Sequence, residues 1–286
     1  MAARAWRYCV PMVQRRFLQV DVFGAGPYAG NPVAVVVDGD GLSTEEMQRF
    51  AAWTNLSETT FLLPPTDPAA DYRLRIFTPG AELPFAGHPT LGTAHAWLAT
   101  GGTPQARGRL VQECGVGLVE LRETDGRHAF AAPALRRYER PDDATLAAAT
   151  ETLGLVPDDV VDASWLDNGP PWLALRLRSR EAVLAVRPRY ERMADLHLGV
   201  VATPGSDGTD VEVRGFVGDI GEDPVTGSLN AGLAQWLTDT GVVRAPYVAA
   251  QGTALGRAGR VHVSVEDGRL WVGGRTTTAI AGTVAL

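Results

Sequence analysis

Alternating apolar and polar residues indicate a chain rich in strands. Residues 17–23 (FLQVDVF) and 72–78 (YRLRIFT) alternate as strands with one buried face do. The final strand pair is predicted to form a hairpin around Asp267-Gly268, a dipeptide that favours tight turns. Further strands are predicted at 33–37, 59–63, 110–113, 117–122, 128–131, 172–177, 183–186, 211–217, 261–266 and 270–272.

Helical periodicity and end signals predict helices at 43–53, 89–100, 142–153, 191–196 and 228–240. The first should begin with a capping box, because Ser43 is followed three residues later by Glu46. Apolar residues at helical spacing predict that the helices at 89–100 and 228–240 are mostly buried. Helices interspersed among strands give an α/β (α+β) fold class.

An internal repeat predicts two pseudo-symmetric domains. Six of the 32 positions from 71 to 102 carry the same residue 139 positions later, including Trp97 and Trp236. The offset is close to half the chain length, which favours two equivalent domains over a solenoid. The boundary is predicted near Pro133, giving domains 1–133 and 134–276, with 277–286 returning to the first. Residues 1–11 are expected to be disordered.

The charge balance excludes several classes of protein. The 286 residues include 26 basic and 33 acidic side chains, for a net charge of −7, and every basic residue is Arg. Without Lys there is no Schiff-base chemistry, no conventional pyridoxal-phosphate site and no Walker A loop. An acidic chain without a basic block is unsuited to nucleic acid. We expect no metal and no other cofactor.

The cysteines and the N-terminus favour a reduced, cytoplasmic setting. Cys9 and Cys114 lack the spacing of zinc or redox motifs. The first residues carry Arg but no apolar core of a signal peptide, and no apolar run is long enough to cross a membrane.

Two loop-to-helix junctions are candidates for anion binding. Gly87 and His88 precede one predicted buried helix, and Gly227 and Ser228 precede the other. Helix starts expose unpaired N–H groups, and glycine allows a ligand close to the backbone, so two such starts would suit a small carboxylate. Taken alone, these residues also fit ordinary loop glycines, a structural His and a plain N-cap Ser.

Two carboxylates are candidates for proton transfer. Glu58 begins an apolar strand, where lost solvation would raise the pKa of its carboxyl group into a range that suits general acid–base catalysis. Both residues also have a purely structural interpretation. Asp223 precedes a Pro and fits an ordinary turn residue, and Glu58 fits an exposed residue at the end of a strand. The glycine-rich segment GAGPYAG is no dinucleotide site, because a strand follows it instead of a helix.

Several runs together resemble the phenazine biosynthesis PhzF-like family. They are FLQVDVF with GNPVAVV, NLSETTF, RIFTPGAELPFAGHPTLGTA and GEDPVTGSLN, with a weaker match in DNGPPWLAL. The resemblance implies the diaminopimelate epimerase-like fold, in which two similar domains each wrap a curved sheet or open barrel around a central helix. It also implies an active site between the domains, a homodimer and no cofactor.

The family's best-understood activity is isomerisation of trans-2,3-dihydro-3-hydroxyanthranilate in phenazine and antibiotic biosynthesis, a branch of secondary metabolism. The resemblance implies that Glu58 is the acid/base group and that His88 and Asp223 assist it. The residues implied or expected to contact the substrate are Gly87, Pro89, Gly227 and Ser228. The related two-base racemases carry Cys at both helix starts, and neither cysteine of this chain is there, so thiol-dependent racemisation is excluded.

The sequence leaves the reaction and the substrate open. The leading hypothesis is a cofactor-independent isomerase that moves a proton on a small unsaturated cyclic or amino carboxylate. The alternatives are a non-catalytic protein that binds small carboxylates, and a hydrolase or lyase that uses the same Glu.

Overall fold

The computed structural model describes residues 12–124, 126–193, 196–205, 207–218 and 221–286. Cys9 and the predicted disorder of residues 1–11 lie outside these ranges. The elements in chain order are β1 Gln14–Val22, β2 Asn31–Val36, α1 Thr44–Thr54, β3 Glu58–Leu63, β4 Tyr72–Phe77, β5 Glu82–Leu83, α2 Gly87–Ala99, β6 Arg109–Cys114, β7 Gly117–Thr124, β8 Arg127–Ala131, β9 Arg137–Glu139, α3 Asp143–Thr152, β10 Val160–Asp167, β11 Pro171–Leu177, α4 Arg180–Ala185, β12 His197–Ala202, β13 Val211–Val217, β14 Gly221–Asp223, α5 Gly227–Asp239, β15 Tyr247–Gln251, β16 Gly259–Glu266 and β17 Arg269–Ala285.

Seven strands of the first half and the last strand of the chain, β17, form a closed barrel. Each hydrogen bonds to the next in the order β1, β2, β3, β4, β6, β7, β8 and β17, and β17 returns to pair with β1. Two of these pairs, β2 with β3 and β4 with β6, are parallel. The barrel surrounds α2, which packs against β1, β2, β3 and β8. Closure leaves no unpaired strand edge, so the backbone polar groups around α2 are satisfied.

The second half repeats this arrangement with one interruption. Its strands pair in the order β9, β10, β11, β12, β13, β15, β16 and β17, and β11–β12 and β13–β15 are the parallel pairs. Helix α5 packs against β10, β11, β16 and β17. The interruption lies between β8 and β9, which are separated by residues 132–136, including Pro133. Strand β17, in contrast, is continuous over 17 residues. Proline donates no backbone hydrogen bond, which suits it to this interruption.

Both central helices are largely buried, as predicted, and each approaches its sheet at a glycine. Gly92 and Gly232 are the sixth residues of α2 and α5. A Cβ at Gly92 would lie 2.4 Å from Val33 Cγ1, and one at Gly232 would lie 2.8 Å from Leu166 Cβ. The absence of a side chain therefore lets each helix pack closely on its sheet.

The structure corrects the alignment of the repeat at the helices. The two helices begin 140 residues apart, at Gly87 and Gly227, rather than 139. Trp97 is consequently the eleventh residue of α2 and Trp236 the tenth residue of α5. The expectation that the two tryptophans occupy equivalent places is therefore wrong by one helical position.

Local signals gave one correct assignment and two that differ from the structure. Ser43 and Glu46 form the predicted capping box at α1. Residues 183–186, predicted as a strand, instead lie at the end of α4, because Ser179 caps that helix by accepting a hydrogen bond from the Ala182 N–H. In the described part of the helix predicted at 191–196 there is a single 3₁₀ turn, at Tyr190–Arg192, and residues 194 and 195 lie outside the described residues.

These elements confirm the mixed α/β class with a curved sheet around a central helix in each half. The domain boundary at Pro133 stays a prediction, because β8 and β17 pair with each other and join the two halves. Among the described residues, no helix combines the length and the apolar character needed to cross a membrane.

Candidate active site

The starts of α2 and α5 meet where the two halves adjoin. A Cβ at Gly87 would lie 2.9 Å from Gly227 Cα, and a Cβ at Gly227 would lie 2.8 Å from Gly87 Cα and 3.2 Å from His88 N. The N-cap residues, Ala86 and Thr226, form no side-chain cap with the helix backbone. Two uncapped helix starts therefore bring their first-turn N–H groups and positive dipole ends together, which is an arrangement suited to an anion.

Glu58 and His88 face each other beside these helix starts. Glu58 is the first residue of β3, His88 is the second residue of α2, and Glu58 Oε2 lies 3.2 Å from His88 Nε2. Neither atom has a hydrogen-bond partner among the described residues. The side chains are only 13% and 4% exposed, respectively. They form a close, desolvated pair whose polar atoms are unoccupied by the rest of the described chain.

Burial shifts the pKa values of this pair in opposite directions. It raises the pKa of the Glu58 carboxyl group well above its usual value, and the negative charge of Asp223 raises that pKa further. It lowers the pKa of the His88 imidazole to about 3, despite a hydrogen bond with the backbone of Pro32 that acts the other way. His88 is therefore neutral at physiological pH, and Glu58 binds a proton more strongly than an exposed Glu does.

Asp223 approaches the pair from the second half, and both of its carboxyl oxygens accept hydrogen bonds. The Asn31 amide donates to Oδ1 at 2.7 Å, and the Thr226 hydroxyl donates to Oδ2 at 2.8 Å. Burial raises the pKa of Asp223 to about 6, while these hydrogen bonds lower it. The carboxylate is thus retained in a partly buried position by donors from both halves of the chain.

Asn31 links the candidate catalytic groups. It is fully buried at the start of β2, and its Nδ2 lies 2.7 Å from Asp223 Oδ1, 3.0 Å from the Val225 carbonyl oxygen and 3.3 Å from His88 Nδ1. Asp21 supports the preceding loop by accepting hydrogen bonds from the backbone N–H groups of residues 29 and 30. One amide therefore contacts the His of the first half and the Asp of the second.

Ser228 is held by two side chains from the second half. Trp172 Nε1 donates to Ser228 Oγ at 2.9 Å, and Asn168 Nδ2 donates to the Ser228 carbonyl at 2.9 Å. Because Trp172 occupies an acceptor position of the hydroxyl oxygen, the hydroxyl proton of Ser228 can be donated elsewhere. This orientation suits a hydroxyl that binds a carboxylate at the helix start.

The structure brings the predicted site residues together at one junction. Glu58, His88 and Asp223 meet through Asn31, and the other predicted residues lie at the two helix starts, with Pro89 buried as the third residue of α2. The residues not predicted are Asn31, Asn168, Trp172 and Thr226. All four lie inside the matching runs GNPVAVV, DNGPPWLAL and GEDPVTGSLN. The available signal was therefore a polar or aromatic residue within a motif.

The described residues contain no group of three or more His, Cys, Asp or Glu side chains placed to hold a metal ion. Cys114 ends β6, away from both helix starts in the sequence, and its thiol contacts the Gly117 carbonyl oxygen at 3.7 Å. The expectation of a reaction without a cofactor stays a prediction.

Comparison with known proteins assigns the chain to a family. The sequence model of the family described as phenazine biosynthesis-like protein matches residues 20–285. The chain belongs to this family. The matched range includes every residue that forms the junction described above.

Relatives in the phenazine biosynthesis-like family match along nearly their whole lengths. Antisense-enhancing sequence 1 of Schizosaccharomyces pombe is 34% identical, over 95% of this chain and 99% of the relative. Trans-2,3-dihydro-3-hydroxyanthranilate isomerase of Pseudomonas aeruginosa is 36% identical, over 88% of this chain and 90% of the relative. A solved structure of a predicted epimerase from Pseudomonas aeruginosa is 29% identical, with a TM-score of 0.80 over 94% of this chain and 99% of that one. The name of the Pseudomonas aeruginosa isomerase supports an isomerase of this family and leaves the substrate open.

Proposed function

We propose that this protein is an isomerase that moves a proton between two carbons of a small unsaturated carboxylate without a cofactor. The observation that carries the proposal is the meeting of Glu58, His88 and Asp223 beside two abutting, uncapped helix starts. A proton-transfer group with a raised pKa next to an anion-binding site is the combination that such a reaction requires.

In this mechanism, Glu58 is the single proton carrier. It removes a proton from one carbon, the double bond shifts, and Glu58 returns the proton to a second carbon on the same face of the substrate. The substrate gains and loses nothing else, so no oxidant, reductant or water is consumed. The small exposed fraction of Glu58 and His88 supports the return of the same proton before it exchanges with solvent.

The remaining residues bind and orient the substrate. The first-turn N–H groups of α2 and α5, with the Ser228 hydroxyl, would hold the carboxylate. Neutral His88 and ionised Asp223 would contact the polar groups of the substrate near the carbons that exchange the proton. Because the two helix starts belong to different halves, binding and catalysis both depend on the junction.

The relatives suggest the first compound to test. The Pseudomonas aeruginosa relative is named for trans-2,3-dihydro-3-hydroxyanthranilate, which carries a carboxylate on an unsaturated ring and fits the proposed class. The protein should be incubated with this compound in D₂O and followed by proton NMR. We expect a double-bond shift in the wild type and none in Glu58→Gln.

The same experiment separates the alternatives. Ligand-induced shifts in the protein spectrum without turnover, repeated across cyclic and amino carboxylates, would indicate a binding protein and contradict an isomerase. A product that has added water or lost a fragment would indicate a hydrolase or lyase. We also propose a homodimer, for which light scattering should give twice the chain mass of 30.4 kDa.

A further inference from the structure

The two carboxyl groups of the site have unequal hydrogen-bond environments. Asp223 accepts a hydrogen bond at each oxygen, from Asn31 and from Thr226. Glu58 Oε2, in contrast, accepts none from the described residues and faces His88 Nε2 at 3.2 Å. Hydrogen-bond donors stabilise an ionised carboxylate and disfavour its protonated form. The environment therefore favours the ionised form at Asp223 and the protonated form at Glu58.

We propose that Asn31 and Thr226 are positioning residues that keep Asp223 ionised, so that the proton held by the two carboxyl groups resides on Glu58. This location concerns the unliganded protein and does not depend on the proposed isomerase function, which requires Glu58 to release this proton when the substrate binds, before it removes one from carbon. Two nearby buried carboxyl groups are not readily ionised together, so the pair retains one proton over a wide range of pH. The donors from Asn31 and Thr226 decide which group holds it.

The neighbours of Asn31 determine whether the nitrogen or the oxygen of its amide faces Asp223. Two acceptors lie within hydrogen-bond distance of Nδ2, namely Asp223 Oδ1 and the Val225 carbonyl oxygen, and they match the two protons of the amide nitrogen. The reversed orientation would place the amide oxygen against the Asp223 carboxylate, where two acceptors would repel each other. Asn31 therefore acts as a donor to Asp223.

Thr226 is also held in place as a donor. Gln251 Nε2 donates to Thr226 Oγ1 at 2.9 Å, and Gln251 Oε1 accepts from the Thr226 backbone N–H at 3.0 Å. Because the hydroxyl oxygen already accepts from Gln251, its proton is available to Asp223 at 2.8 Å. Neither Asn31 nor Thr226 can turn an acceptor atom toward Asp223 without breaking another buried hydrogen bond.

The other charged groups around Asp223 do not reverse this preference. Glu58 faces it from β3, and His88 lies behind Asn31 on α2. Glu222, its neighbour on β14, is paired with Arg214 of β13 at 2.7 Å, and the charge of Glu222 raises the pKa of Asp223. The two donors from Asn31 and Thr226 thus oppose both burial and negative charge.

The location of the proton can be measured in the unliganded protein. Infrared spectroscopy at neutral pH should show the C=O absorption of a buried protonated carboxyl group in the wild type. We expect Glu58→Gln to abolish that absorption and Asp223→Asn to retain it. The opposite pattern, with loss in Asp223→Asn and retention in Glu58→Gln, would overturn the proposal.

The role of the donors is tested in the Glu58→Gln background, where Asp223 is the remaining carboxyl group of the pair. Asp223 is followed by ¹³C NMR with labelled aspartate and assigned with Asp223→Asn. Adding Asn31→Ala or Thr226→Val should raise the Asp223 titration midpoint by about 1–2 pH units, as expected for one lost hydrogen bond to a charged group. Thr226→Val keeps the side-chain shape and serves if the Asn31 variant does not fold.

The matched control is Thr93→Val in the same background. Thr93 is fully buried and donates to Thr60 at 2.9 Å, so it loses a comparable hydrogen bond without touching either carboxyl group. The Asp223 midpoint should not change. An unchanged midpoint in the Asn31 and Thr226 variants as well would refute the role of the donors. A failure of the isomerase proposal would leave these titrations unaffected, since no substrate is present.

Discussion

The two halves of the molecule begin their central helices in the same way but place different side chains there. Helices α2 and α5 are each 13 residues long, begin with a glycine and lack a side-chain cap. Their second residues differ, since α2 has His88 and α5 has Ser228. His88 faces the donor-free oxygen of Glu58, whereas Ser228 is held by Trp172. The backbone contribution is duplicated, and the side chains distinguish the halves.

In the proposed mechanism, this difference separates proton transfer from binding. The first half supplies Glu58, whose pKa is raised well above its usual value in a desolvated position. The second half supplies Asp223 and Ser228, both already bound to neighbouring side chains. A group that must gain and lose a proton benefits from few fixed partners, whereas a group that orients a ligand benefits from many. We therefore expect substitutions in the two halves to affect turnover and binding differently.

The largest expected effect is the loss of turnover in Glu58→Gln. The amide keeps the size of the side chain but cannot accept a proton, and general acid–base groups typically contribute about 10²–10⁴-fold. We expect a loss at or above the top of that range, with ligand affinity nearly unchanged. Turnover is measured by NMR in D₂O and affinity by calorimetry.

The matched substitution in the second half is Asp223→Asn, which should weaken both affinity and turnover, as should replacement of His88. If Glu58→Gln kept more than about a tenth of wild-type turnover, less loss than any in the usual range, the shuttle assignment would be wrong. Asp223 would then be the next candidate for proton transfer.

The second prediction concerns the shared backbone site. Gly87→Ala and Gly227→Ala each place a Cβ within 2.9 Å of the other glycine, so the helix starts must separate. Overpacking of this kind costs about 1–3 kcal/mol, and we expect carboxylate or sulfate affinity to fall on the order of tenfold in both variants. The control is Gly80→Ala, where a Cβ would meet nothing within 4 Å. A loss in only one of the two variants would show that one helix start binds the anion alone.

The third prediction compares the stability of His88 and Asp223 variants at different pH. The pKa of Asp223 is raised from 3.8 to about 6, so the folded state binds more protons and wild-type stability falls as pH rises through that window. The pKa of His88 is lowered from 6.5 to about 3, so the unfolded state binds more protons and stability falls as pH decreases from 6.5.

Between about pH 4 and pH 6, Asp223 and His88 therefore have opposite effects on how stability changes with pH, and single variants should reveal each effect. Relative to wild type, Asp223→Asn should gain stability as pH rises, and His88→Gln should gain stability as pH falls. The difference in free energy of unfolding between each variant and the wild type, measured by urea unfolding, should change by at most about 1.4 kcal/mol per pH unit. Parallel pH profiles for both variants and the wild type would contradict the assigned pKa directions.

The sequence was most informative where a structural requirement is local. Apolar spacing identified the buried helices, the Ser43 capping signal was correct, and motif resemblance pointed to Glu58, His88 and Asp223, which the structure brings together. Asn31 was not found, because its contact with Asp223 joins residues 192 positions apart and leaves no periodic signal. Residues 183–186 were assigned to a strand because their apolar character was considered without the cap at Ser179.

The smallest expected effect is that of Trp172→Phe on binding. Trp172 is buried, and its indole N–H donates to Ser228 Oγ at 2.9 Å, so Phe keeps most of the packing and removes the hydrogen bond. Such a bond contributes about 0.5–1.5 kcal/mol, so KM should rise by roughly 2–12-fold while kcat changes less. Trp271→Phe is the control, because Trp271 is equally buried and its Nε1 has no partner among the described residues. A fall in kcat at unchanged KM would place Ser228 with the groups that act on the reacting carbons, and the separation between the two halves would then have to be abandoned.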